Sequence, residues 1–240
     1  MADVFEDYKG PSREELERQQ AAMRAKSARF SNVILGGREE MDAARERLWK
    51  VIEQTPKLFW QLLTKRPENM VNMTPERWRN GWPENIIAMT TVENQAAANE
   101  RIPHLLNVPA KYRGLSCEPL LEPVRLNSIP WKHGVKCDKD KWSLMCNPLT
   151  GFRATSPYSG IDNGPKIHWV ICGFESGPKK RPFDIQNAYS LRDQCRAAGV
   201  RFFMKQLDKV QPIPDDLMIR EFPDTHPPSI ESAGKEQKNV

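Results

Sequence analysis

Short apolar runs recur along this chain, and each ends abruptly in polar or charged residues. Leu58 to Leu63 gives way to Thr64-Lys65-Arg66-Pro67, and Ile86 to Met89 gives way to Thr90-Thr91-Val92-Glu93. Tyr112 to Ser116 ends in Cys117-Glu118-Pro119, Ile167 to Cys172 in Gly173-Phe174-Glu175-Ser176-Gly177, and Val200 to Met204 in Lys205-Gln206. Nearly continuous apolar runs of this length predict strands covered on both faces, the pattern of a parallel sheet. Helix-length segments separate most of them. The expected fold class is therefore α/β: a partial or incomplete TIM-like β/α barrel with parallel strands, an N-terminal helical segment and an inserted loop.

The helical segments carry their own signals. Ser12-Arg13-Glu14-Glu15 is a capping box that opens a charged surface helix to Ala28. Met41, Ala44, Leu48, Val51 and Ile52 predict a second helix over Glu39–Gln54, stopped by Thr55-Pro56. Thr74 is expected to cap a helical turn with Pro75 at its first position. Glu93 to Leu106 reads as a helix that Pro103 should kink or restart. Asp184 is placed to cap a helix through Leu191, Cys195 and Ala198, with Gly199 at its left-handed end. Residues 127–165 are rich in Gly, Pro, Ser, Asn and Lys and read as an irregular inserted loop. Leu217 to Phe222 is a candidate short last strand. These features predict one domain over residues 1–223 and a disordered tail over 224–240.

Composition bounds the function. There are 36 basic and 31 acidic residues, a net charge of +5 that does not by itself indicate nucleic-acid binding. No apolar run approaches the ~20 residues of a membrane span, so no membrane partner is expected. The five cysteines are odd in number and scattered, which argues for reduced thiols in a cytoplasm rather than a disulfide framework. His133, Cys137 and Cys146 provide three candidate metal ligands where about four are needed, so no metal site is expected. No phosphate-binding P-loop, nucleophile elbow or zincin helix occurs.

In parallel β/α folds ligands bind where the loops leave the carboxyl ends of the strands. The candidate substrate- or cofactor-binding residues are therefore Thr64, Lys65, Arg66, Glu93, Ser116, Glu118, Glu175, Ser176, Arg181, Lys205 and Gln206. Three carboxylates and several cations suit a polar substrate or a charged cofactor. Lys179-Lys180-Arg181 is a basic cluster that suits an anion, nucleic acid included.

Gln61 to Glu68, Leu115 to Leu121, Trp169 to Pro178, Arg181-Pro182 and Leu191 to Cys195 together resemble the phage gene product 37/68 family, proteins of unknown function similar to radical S-adenosylmethionine barrels. The resemblance covers roughly residues 1–223. It implies a β/α barrel whose full-length members carry an N-terminal cysteine motif able to ligate an iron–sulfur cluster. Here no cysteine precedes Cys117, and Phe174 stands where the family has glycine. The resemblance thus implies the substrate-side part of such a barrel, which binds no cofactor alone. S-adenosylmethionine and an iron–sulfur cluster enter only with an N-terminal barrel fragment encoded upstream. The competing readings are a non-catalytic phage accessory protein that binds nucleic acid through its basic patch, and an inactive remnant.

Overall fold

The computed structural model describes residues 4–5, 14–15, 17–18, 38–137, 140–156, 159–177, 179–208 and 210–223; for 132–143, 155–156 and 159 only the backbone of the described residues is considered. Its centre is a parallel sheet of β1 (Trp60–Thr64), β2 (Ile86–Thr91), β3 (Tyr112–Cys117), β8 (Trp169–Gly173) and β9 (Arg201–Gln206), in that spatial order. Each expected apolar run is one of these strands. Strand order follows chain order, so each connection steps in the same direction across the sheet. Right-handed crossovers then place the covering elements on one face.

That face holds the main core. Trp49 and Ile52 of α1 (Arg38–Gln54), Ile102, Leu105 and Leu106 of α3 (Gln95–Asn107), and Leu191 and Cys195 of α4 (Ile185–Ala198) pack on Leu62, Ile86, Ala88, Leu115, Val170, Phe202 and Met204. Along each strand the alternate residues point the other way. Ile87, Met89 and Trp169, flanked by Phe59, Tyr112, Ile171 and Phe203, form a second and smaller apolar cluster on that opposite face. Among the described residues no pairing joins β1 to β9, so the sheet is an open five-stranded one and not a closed barrel.

The local signals explain the helix ends. The Asn94 side chain caps α3 by accepting from the Ala97 amide at 2.9 Å, and Asp184 caps α4 by accepting from Gln186 at 2.9 Å. Gly199 closes α4 at φ 65°, a conformation that costs a side-chain-bearing residue but not glycine. Pro103 does not restart α3, which runs through it. The Thr74-Pro75 turn differs from expectation. The short helix α2 (Met70–Met73) ends at Thr74, and Pro75 precedes a single 3-10 turn, Glu76–Trp78, with no side-chain cap. Of the expected Ser12–Ala28 helix, Glu14, Glu15, Glu17 and Arg18 are helical and the rest lies outside the described residues.

The stretch expected as an irregular loop forms a second sheet. β4 (Ile129–Cys137), β5 (Asp140–Asn147), β6 (Phe152–Ser156) and β7 (Ser159–Ile161) are antiparallel neighbours in chain order. Hairpins pair locally, and the buried Ile129, Leu144 and Cys146 belong to apolar stretches of at most three residues, such as Leu144-Met145-Cys146, too short to read as the runs of the central strands. This sheet occupies the position of the helix that would otherwise link β3 to β8, and β4 lies against α3. Leu217 to Phe222 is not a strand: Leu217 closes a 3-10 turn, Asp215–Leu217, and Ile219 to Glu221 then run along β9, with Met204 donating to Ile219 O (2.8 Å), Glu221 to Phe202 O (3.1 Å), and one antiparallel bridge between Phe203 and Arg220. The tail expected over 224–240 lies outside the described residues.

Candidate site at the carboxyl ends of the strands

Lys65, Glu93, Glu118, Glu175 and Lys205 sit at or one to two residues beyond the carboxyl ends of five parallel strands. All five continue the alternate set that faces away from the helices: Leu63 and Lys65; Met89, Thr91 and Glu93; Gly114, Ser116 and Glu118; Ile171, Gly173 and Glu175; Phe203 and Lys205. Two devices hold them there. A register shift opposite Gly173 pairs it with Gln206 and passes over Lys205, a local irregularity that re-aims the strand end. The segment after β3 then crosses its neighbours, with Leu121 N donating to Glu93 O and Leu120 N to Gly173 O, both at 2.9 Å. Glu118 is thereby fixed at the centre of the edge.

Gly173 makes room for it. A Cβ there would lie 3.3 Å from Cγ, Cδ and Oε1 of Glu118, tighter than most real contacts. Gly114 similarly admits Met89, whose Cε would be 3.0 Å from an added Cβ. Glycine at these two strand positions therefore lets neighbouring side chains lie across the sheet.

The charges are matched. The Glu93 carboxylate accepts from Lys65 and, at 2.7 Å, from Arg101 Nη1, while that same nitrogen donates to Thr91 O at 2.8 Å. Burial pushes the Glu93 carboxyl up, but hydrogen bonding from Lys65 and the charge of Arg101 outweigh it and the net shift is down. Lys205 Nζ donates to Glu118 Oε2 at 2.8 Å, and Gln206 Nε2 donates to Glu118 Oε1 at 3.3 Å and to Phe174 O at 3.2 Å. Glu175 accepts from the backbone and guanidinium of Arg181, which together hold its carboxyl down to about 2. Lys180 pairs with the buried Asp208, whose carboxyl is held at about 2 by that contact and by the amides of Gln211 and Val210. A groove of about 500 Å³ lies beside this pair, walled by Phe183, Asp184 and Gln211. Two of the three cations in the Lys179-Lys180-Arg181 cluster are thus engaged within the chain.

The remaining predicted residues divide. Ser116 is buried in the alternate set, and its carbonyl accepts from Val92 N at 2.9 Å. Thr64 faces the helix side instead; its hydroxyl accepts from Arg66 N at 2.9 Å and its carbonyl from the Thr90 hydroxyl at 2.8 Å. Arg66 is half-buried and Ser176 is exposed. Sequence reasoning missed Arg101 and Asp208. Arg101 lies two turns beyond the Asn94 cap, on the helix side that returns to the strand end, and only the cap position could have pointed to it.

The cysteines do not join this site. Cys117, Cys172 and Cys195 are fully buried in the helix-side core. Burial pushes the Cys117 and Cys172 thiols far up, reinforced at Cys117 by Cys172 and at Cys172 by Cys195 and Glu118, and burial pushes Cys195 to about 12. An iron–sulfur cluster requires thiolates, so these three do not fit one. Among the described residues no group of three or more His, Cys, Asp or Glu is arranged to hold a metal ion. Of the expected metal candidates, Cys146 is buried, and the side chains of His133 and Cys137 lie outside the described set. No helix among the described residues is long and apolar enough to cross a membrane.

The arrangement defines a mixed α/β protein with a polar, charge-matched site at the carboxyl edge of a five-stranded parallel sheet. Residues 14–236 match the model of a family described as "Protein of unknown function (DUF5131)", and the chain belongs to that family. No curated protein and no solved structure matches it significantly.

Proposed function

We propose that this chain is the substrate-side part of a radical-SAM-like β/α barrel protein of the phage gene product 37/68 type, with its polar strand ends binding a small charged substrate. The observation that carries this reading is the shared parity of Lys65, Glu93, Glu118, Glu175 and Lys205. Five strands in barrel order direct these side chains to one face and one end, where β/α barrels bind ligands. A charged ligand would exchange with the internal pairs: its anionic group with Glu118 at Lys205, its cationic group with Lys65 at Glu93. The chain is not catalytic by itself, because its core thiols are too buried to serve a cluster; a second component supplies the cluster and S-adenosylmethionine.

Anaerobic copurification with the product of the adjacent upstream reading frame tests this. The expected result is a complex with iron–sulfur absorbance that cleaves S-adenosylmethionine. Lys205→Met is expected to retain the complex and lose turnover. Recovery of the chain alone, with no cluster in any fraction, would overturn the reading.

A further inference from the structure

The opposite end of the sheet carries charge of a different kind. Arg113, the second residue of β3, is five residues from Glu118, about 16 Å along the strand. It is 93% buried, its Nη2 donates to Val108 O at 2.6 Å, and its Nε is buried without a partner. Arg153 of β6 in the inserted sheet stacks on Trp131, with its guanidinium carbon 3.8 Å from the ring centroid. Its Nε and Nη2 are both buried without a hydrogen-bond partner. Those two nitrogens form the side-on edge of the guanidinium, whose parallel N–H bonds match two oxygens of one oxyanion.

Among the described residues no carboxylate figures among the charges that act on this cluster. The charge of Arg153 disfavours the protonated form of Arg113, and Arg113 and Lys166 act likewise on His168. His168 Nδ1 accepts from the Arg113 amide at 3.2 Å, so the imidazole is neutral with its proton on Nε2. Arg113 is buried and the Nε–Nη2 edge of the half-buried Arg153 is desolvated, and neither has a carboxylate partner among the described residues, although cations in protein interiors are ordinarily paired. Close backbone approach shapes the place: Gly151, at φ 88°, and Gly164 lie so near that a Cβ on either would meet the other's carbonyl at 2.7–2.8 Å, and a Cβ on Gly164 would lie 3.1 Å from Arg153 Nε.

We infer that Arg113 and Arg153 form an oxyanion-binding site between the central and inserted sheets, and that its double positive charge selects a phosphate group over a monocarboxylate. Entry requires the Gly151/Gly164 contact to part, which couples occupancy to the docking of the inserted sheet.

Thermal unfolding of the full chain in inorganic phosphate, acetate or chloride at matched ionic strength tests this. Phosphate is expected to raise the midpoint and acetate to match chloride. Arg153→Met is expected to keep the parent circular dichroism spectrum and lose the phosphate shift, with phosphate affinity by calorimetry falling roughly tenfold or more, the equivalent of one charge-assisted hydrogen bond. Arg153→Lys, which keeps the charge but not the fork, is expected to recover only part of the shift. Equal midpoints in phosphate and chloride, or an undiminished phosphate shift in Arg153→Met, would overturn the proposal. An equal shift in acetate would overturn the selection for phosphate.

Discussion

The two ends of the central sheet treat charge in opposite ways. At the carboxyl end each acid meets a cation: Glu93 with Lys65 and Arg101, Glu118 with Lys205, Glu175 with Arg181, and Asp208 with Lys180. At the amino end Arg113 and Arg153 keep three orphaned donors, and among the described residues no acid acts on them. The carboxyl end is therefore electrostatically complete as it stands, and a ligand there must substitute for internal pairs. The amino end is incomplete, and a ligand there would supply what is missing. On the proposed readings, the first would exchange its internal pairs with a charged substrate and the second would hold a resident ion.

Breaking the paired end should have the largest effect. Glu93→Gln leaves Lys65 and Arg101 facing a neutral amide in a nearly buried position, and a loss of about 2–3 kcal/mol is expected by urea unfolding. A loss below about 0.5 kcal/mol, within the range of exposed pairs, would mean that this end is no more than solvated surface.

A smaller effect is expected from pH at the unpaired end. Burial, reinforced by Arg113 and Lys166, lowers His168 from 6.5 to about 4. The unfolded chain therefore takes up the proton first. Stability is whole above about pH 6.5, falls as the pH drops toward 4, and is flat below that with respect to this group. The expected loss is about 2 kcal/mol, after discounting for partial exposure. Glu93, whose carboxyl is lowered from 4.5, loses its contribution only at more acidic pH. The window between 6.5 and 4.5 therefore reports His168, and His168→Gln should flatten urea midpoints across it.

Arg153→Met should move stability the other way from Glu93→Gln. In phosphate-free buffer it removes two orphaned donors at the expense of the Trp131 stack, for a net gain of about 1 kcal/mol. A variant that is less stable than its parent in that buffer would erase the contrast between the ends. The smallest stability effect is expected for Glu118→Gln, below about 1 kcal/mol because Lys205 is half exposed. Its ligand binding should suffer far more than its unfolding midpoint, and equal sensitivity of the two would count against a binding role.

Each strand of the central sheet was legible because the helix-side core and the smaller opposite cluster together gather apolar residues into runs, although the far side of β1 stays exposed at Gln61 and Leu63. The ends of α4 were legible because Asp184 and Gly199 act on backbone groups a few residues away, whereas the Asn94 cap of α3 emerges only in the structure. The inserted sheet was not legible, since its hairpin strands carry only short apolar stretches such as Leu144-Met145-Cys146 among many Gly, Pro, Ser, Asn and Lys residues. The strand-end acids and lysines could be named from position alone, because strand alternation is a local rule. Their partners could not. Arg101 meets Glu93 only once α3 docks, and Lys205 meets Glu118 only once the sheet assembles, whereas Arg181 meets Glu175 within one loop. The local sequence by itself determined which residues reach the edge of the sheet and on which face. Tertiary structure decided which charges are neutralised and which, like those of Arg113 and Arg153, keep donors without partners, because most of a charge's surroundings are set by segments distant in the chain.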